Sequence, residues 1–187
     1  MSGKVEQMNF SIPRVIESPR LMLRMVREED WLALHDYYAD ADAVSYTVQE
    51  ALDEEGSRNM TGAMIRHWLR RGYGPYVLVE KASGAVIGIC GLWYPKEWPE
   101  PEIKWALCRG HWGKGYAAEA ARAVQAMAAR HLPQLHLISL IHVDNQNSIN
   151  LTQAVSALRE REMEFRDELY AVFRHPRIAA MTEPGAL

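Results

Sequence analysis

Only two cysteines, Cys90 and Cys108, occur in the 187 residues, and neither has histidines at ligand spacing. That excludes a disulfide framework and a structural zinc site. Positive charge is not in excess either. With 21 Lys and Arg against 24 Asp and Glu, the formal net charge is −3, so no overall field draws the chain to nucleic acid or to an acidic membrane. Any anion site must be local. No run approaches the roughly 20 apolar residues of a spanning helix, and Met1 to Ser18 is polar and broken by Pro13, unlike a secretory leader. A reducing cytoplasm is the expected compartment. Repeats and low-complexity tracts are absent as well. A hydrophobic content of 48% then suits one globular domain over 1–187, with a core from about 17 to 176 and loose ends at Met1–Arg14 and Pro176–Leu187.

What is present is a clear change of period along the chain. "RLMLRM", from Arg20, alternates like a strand. "REEDWLALHDYYADADAV" repeats at helical spacing behind Glu28, Glu29 and Asp30, and Asp53–Arg71 offers a second helix stopped by Gly72. "PYVLVEK", "AVIGICGLWY" and "EIKWALC" make an antiparallel meander, with "PKEWPEP" as a proline-punctuated loop before the last strand. An alanine-rich helix starts near Tyr116 and ends at Pro133. "QLHLISLIHV" reads as a buried strand, "DNQNS" caps a helix expected to run to about Glu160, and two strand-like pieces flank Asp167. The expected fold is α/β: a mixed central sheet of about seven strands with helices on both faces.

"RGHWGKGYAAEA" carries the chemistry. Gly113 and Gly115 lie between a strand and a helix N-terminus, so backbone N–H groups point outward with no Cβ in the way, and the helix dipole and Lys114 add positive charge. This is either an anion cradle or a plain turn. One residue between the glycines rules out the Walker spacing, and a position two-thirds of the way along, after a meander, disfavours a dinucleotide fingerprint.

"HWGKGYAAEA" resembles the acetyl-coenzyme A loop of the GNAT superfamily of N-acetyltransferases, in the branch of the ribosomal-protein N-terminal alanine and serine acetyltransferases. "ESPRLMLRMVREEDWLAL", "EIKWAL", "DNQNSI" and "FRHP" resemble other segments of that branch in the same order, over about Glu17 to Pro176. The resemblance implies splayed fourth and fifth strands holding the cofactor arm. It places the pyrophosphate on Trp112, Gly113, Lys114, Gly115, Tyr116 and Ala117, and the pantetheine against backbone at Ala106, Leu107 and Cys108. Asn145 and Ser148 fall at cofactor positions, with helix capping as the competing reading. Acetyl-CoA is the implied cosubstrate, without a metal.

The same resemblance places a glutamate at Glu102, where strand alternation puts it on one face with Lys104 and Ala106. Glu102 is either the base that takes the amine's proton or a surface partner of Lys104, a cation that should weaken it as a base. Lys104 and Gly110 depart from the family pattern. So does Thr152, which stands where members with a tyrosine acid carry that residue. Cys108, His136 and His142 read as packing or strand-end residues, whereas Trp93, Tyr94 and Trp98 are candidate acceptor walls. The implied activity is direct acetyl transfer to an amine, either a protein N-terminus or a small molecule, by a monomer or homodimer acting on neither nucleic acid nor membrane. A non-catalytic acyl-CoA sensor or protein-interaction module is the alternative.

Overall fold

A computed structural model describes Phe10 and residues 12–177. Its strands are β1 (Val15–Glu17), β2 (Leu21–Met25), β3 (Pro75–Glu80), β4 (Val86–Trp93), β5 (Glu102–Leu107), β6 (Ile138–His142), β7 (Leu158–Phe165) and β8 (Glu168–Arg174). The helices are α1 (Trp31–Tyr38), α2 (Ala41–Val44), α3 (Glu54–Arg71), α4 (Tyr116–His131) and α5 (Gln146–Ala154). One sheet runs β1-β2-β3-β4-β5-β6-β8-β7, antiparallel except between β5 and β6. The eighth strand is β1, which pairs with β2 at the edge of the expected core.

Local chemistry explains most boundaries. In β2, Leu21, Leu23 and Met25 are buried while Met22 and Arg24 are half-buried, the two-residue alternation of a strand with one face on the core. The Asp53 carboxylate accepts from Gly56 N–H at the start of α3, and Gly72 closes it at φ +76°. The first helical run does not continue to Val44. It divides at Asp40, whose carboxylate accepts from Asp42 and Ala43 N–H and starts α2 afresh.

Two expectations need correction at the C-terminal end. The last helix stops at Ala154, well short of Glu160, because Val155 and Ala157 turn into the core around a left-handed Ser156 (φ +56°). The outermost strand, β7, begins at Leu158, so residues 158–160 belong to it rather than to the helix, while the strand-like reading just before Asp167 holds. An edge strand exposed on both faces needs no apolar alternation, and its charges discourage pairing with another chain. The strand expected from "QLHLISLIHV" is confined to Ile138–His142.

Helices α1 and α3 cover the sheet face that carries Ile89, Lys104 and Trp93; α4 and α5 cover the face with Trp105. Small alanines, Ala120 and Ala121, are fully buried where α4 lies against the strands. Among the described residues no helix is long and apolar enough to cross a membrane.

Candidate active site

The sheet is split where β5 meets β6. The two strands share one register pair, Glu102 with Ile138, and then diverge. Ser139 Oγ donates to Ile103 O at 2.7 Å at the vertex, and Glu102 Oε2 accepts from Leu140 N–H at 3.2 Å. A side chain thus replaces the backbone pairing that β6 lost.

The vertex is held from behind by a chain of buried polar groups. Gln125 Nε2 donates to His175 Nδ1 (2.8 Å), His175 Nε2 bonds Ser139 Oγ (2.9 Å), and Ser139 donates onward to Ile103 O. The donor order assigns the Nε2–H tautomer to His175. Burial, followed by the nearby Arg174 charge, pushes its pKa down to about 4, so it is neutral in this chain.

Beyond the vertex, the backbone edge of β5 is exposed to the gap. Cys108 N–H donates to Ile87 O, so antiparallel alternation turns the main-chain groups of Glu102, Lys104 and Ala106 to β4 and those of Ile103, Trp105 and Leu107 to the gap. Leu107 O already accepts from the Trp112 indole at 2.7 Å. In the stretch expected to face a cofactor arm, Ala106 therefore faces β4. Trp105 instead offers an edge without a partner among the described residues.

The glycine loop follows a short 3-10 turn, Arg109–His111, and enters α4 with Gly113 at φ +71° and Gly115 at φ +78°. Both are left-handed values that favour glycine. A Cβ at Gly113 would meet nothing within 4 Å, and one at Gly115 would approach only the Arg20 guanidinium at 3.4 Å, so no packing inside the chain demands bare backbone there. The N–H groups from Gly113 to Ala117 find no acceptor among the described residues. These features fit a bound pyrophosphate. Arg20, which sequence reasoning passed over, braces the loop. It lies over the Tyr116 ring at 4.4 Å, donates to Lys114 O at 2.8 Å and pairs with Glu119 at 2.7 Å. Arg109 turns away from the loop onto Asp40 and Asp42.

A cleft opens beside Glu102, lined among others by Tyr46, Trp98, Lys104, His142, Arg166 and Tyr170. Glu102 is 5% exposed, and burial pushes its carboxyl from the ordinary 4.5 up to about 7. Lys104, the Leu140 N–H and the nearby Trp98 indole, which lies outside bonding geometry with any acceptor, pull the other way without prevailing. Lys104 weakens Glu102 as a base in the expected direction, but desolvation outweighs it. Lys104 is itself lowered by the same burial.

Of the three expected acceptor walls only Trp98 lines this cleft. Trp93 stacks on His67 at 4.7 Å under α3, and Tyr94 is tied by its N–H to His67 Nε2 and covered by Arg71. Asn145 and Ser148 reach the cleft, yet both are engaged. Asn145 Oδ1 caps α5 through Ser148 N–H, and Ser148 Oγ accepts from the Trp105 indole. Thr152 is 1% exposed and donates to Ile149 O, so no hydroxyl is available there. Burial raises the Cys108 thiol to about 11. His142, read as a packing or strand-end residue, ends β6, where its Nδ1 accepts from Asp144 N–H at 3.1 Å, and it also borders the cleft, stacked on Tyr46 at 5.1 Å with Nε2 3.1 Å from Glu168. Tyr46, His142 and the hairpin residues Arg166 and Tyr170 come from three separate segments, and the pairing of β8 beside β6 brings the last two against His142.

An anion-ready glycine loop on a helix, set against a sheet opened between two parallel strands with a raised carboxyl at the vertex, defines an acyl-coenzyme A-dependent transferase. The family model described as "Acetyltransferase (GNAT) domain" matches residues 20–156, and the chain belongs to that family: it is an acetyl-CoA-dependent acetyltransferase. Among curated proteins it is similar to an uncharacterized N-acetyltransferase, p20, of Bacillus licheniformis, 28% identical over 143 residues covering 75% of this chain and 80% of that one. Among solved structures it is similar to an acetyltransferase from Agrobacterium tumefaciens (TM-score 0.78, 27% identity, covering 91% of this chain and 98% of that one). It also shares the fold of RimL, a ribosomal L7/L12 alpha-N-protein acetyltransferase solved with coenzyme A (TM-score 0.71, 21% identity, 90% and 99% covered).

Proposed function

We propose that the protein transfers the acetyl group of acetyl-CoA to an amine by direct attack in a ternary complex, with Glu102 as the base. The observation that carries this is a buried carboxyl at the vertex of the β5–β6 gap, lining the cleft and held by Leu140 N–H, which desolvation pushes up to about 7. A base poised near the operating pH combines a useful ionised fraction with enough driving force to take a proton.

Gly113 to Ala117 and Lys114 would hold the pyrophosphate, and the Trp105 edge of β5 would take the pantetheine as an added strand. The bound cofactor supplies an acetyl thioester. The chain's own residues supply placement and proton handling. Glu102 Oε2 is fixed by Leu140 N–H, leaving the other oxygen to accept the amine's proton directly or through water. Tyr170 keeps its phenolic proton in the same cleft because burial raises its pKa, so a donor is present on β8 although α5 provides none. Cys90 and Cys108 take no part, since burial holds both as thiols.

The acceptor class, a protein N-terminus or a small amine, is approached with a panel of amines and peptides. Thiol release that requires the amine supports transfer. Saturable acetyl-CoA binding without amine-dependent release would favour a cofactor sensor.

A further inference from the structure

The β7–β8 hairpin turns on two residues, Arg166 and Asp167, between the paired Phe165 and Glu168. Both sit in the left-handed region, at φ +55° and +63°. A two-residue turn of this kind favours Asn or Gly at its first position, and a long branched cation there works against the turn. Left-handed non-glycine backbone persists where surrounding structure compensates, and it concentrates at functional sites.

Arg166 is exposed, yet its side chain lies back over two rings. Its guanidinium lies 4.8 Å from the Trp98 ring centre and 5.3 Å from that of Phe165, and Arg166 lines the cleft with Glu102 and Lys104. Trp98 and Phe165 also pack edge to face at 5.0 Å, so the platform under the guanidinium is built from two elements. The loop carrying Trp98 is pinned in turn, because Glu100 accepts from Arg174 and Arg161.

The other arginines around this end of the sheet are paired with carboxylates. Arg161 and Arg174 hold Glu100 and Glu160, and Arg159 holds Glu162. Arg166 has no carboxylate within ion-pair distance among the described residues, although Asp167 is its neighbour in sequence. The cleft lining contains one acid, Glu102, against Lys104, Arg166 and a His142 already turned to Glu168. A purely cationic acceptor would meet two side-chain cations there. An acceptor with an anionic group beside its amine would satisfy both ends, the amine toward Glu102 and the anion toward Arg166.

We infer that the acceptor is a primary amine bearing a nearby carboxylate, and that Arg166, held on Trp98 and Phe165, is the group that selects it. This rests on the amine-acetylating reading above. A free amino acid and a peptide with an acidic residue next to its N-terminus share the required chemistry.

The test compares kcat/KM within matched pairs that differ only in charge. One pair is an amino acid and its carboxamide; the other is Ser-Asp-Ala-amide and Ser-Asn-Ala-amide; spermidine serves as the cationic acceptor. The parent is expected to prefer the charged member of at least one pair by about ten- to a hundredfold, the range of a charge-assisted bidentate contact. Which pair responds identifies the source of the carboxylate.

Arg166→Asn suits the left-handed turn and removes the charge, so the preference should fall toward one. Arg166→Lys should keep its direction. Calorimetry of the charged and neutral acceptors on protein loaded with coenzyme A should give the same ordering without turnover. Equal kcat/KM within both pairs, or a preference unchanged in Arg166→Asn, overturns the role of Arg166 and leaves acetyl transfer standing. No transfer to any acceptor, spermidine included, overturns both.

Discussion

Replacing Glu102 by glutamine keeps the side chain's size and its acceptor for Leu140 N–H and removes a single proton site. Two consequences follow from one cause. The carboxyl is buried, and desolvation carries it from 4.5 to about 7. At about 1.4 kcal/mol per pH unit, that rise corresponds to about 3 kcal/mol. Because the folded protein holds this proton more tightly than the unfolded chain, the contribution is fully present below pH 4.5 and is lost as pH rises through about 7. Urea unfolding of parent and Glu102→Gln at pH 4.5 and pH 8.5 isolates the term. Groups that do not touch Glu102 titrate alike in both proteins, so the parent should lose about 3 kcal/mol more than the variant across that interval, with the coupled Lys104 as the one other group that the substitution shifts.

In the catalytic assay the parent's kcat should fall on the acidic side with an apparent pKa near 7. Glu102→Gln should lose about a hundredfold in kcat, with acetyl-CoA affinity retained and the acidic limb gone. A variant with parental turnover and an unmoved limb would refute the base role. A parent and variant with parallel pH–stability curves would refute the burial argument beneath it.

Other perturbations read separate parts of the site. Lys104→Met removes a cation that now lowers Glu102, so the acidic limb should move to higher pH in a pH–rate profile. Gly113→Ala should weaken acetyl-CoA about tenfold or more by calorimetry, because the new Cβ occupies ligand space rather than protein space, and backbone strain at φ +71° should lower stability by about 1–2 kcal/mol. Cys90→Ala and Cys108→Ala should retain turnover in the thiol-release assay while losing about 1–2 kcal/mol of packing. Ser139→Ala leaves His175 Nε2–H and Ile103 O unpaired at the vertex, which should lower stability by about 2 kcal/mol in urea titrations and weaken cofactor binding.

How much of this was legible in the sequence depended on whether the governing interactions were local. Asp53 and Gly72 bound α3 through contacts within a few residues, and the expected boundaries hold there. The glycine loop was equally plain, because its conformation and its place before α4 are set by the same short stretch. The start of the charged strand, residues 158–160, misled because Arg and Glu at close spacing suit a helix surface as well as an exposed edge strand. Only the core contacts of Val155 and Ala157 decide between them. The acceptor cleft was least legible. Tyr46 and His142 share no spacing with Arg166 and Tyr170, and Trp93 and Trp98, whose rings meet edge to face at 6.4 Å, differ only in that Trp93 is packed under α3 on His67 while Trp98 borders the cleft.

The central claim, acetyl transfer from cofactor to amine at this cleft, is tested most directly by quantifying free coenzyme A and acetylated amine by mass spectrometry in one reaction. The account predicts that the two appear in equal amounts, that both require the amine, and that both fall together in Glu102→Gln. Saturable acetyl-CoA binding with thiol released no faster than spontaneous hydrolysis, and no acetylated amine from any acceptor, would contradict it.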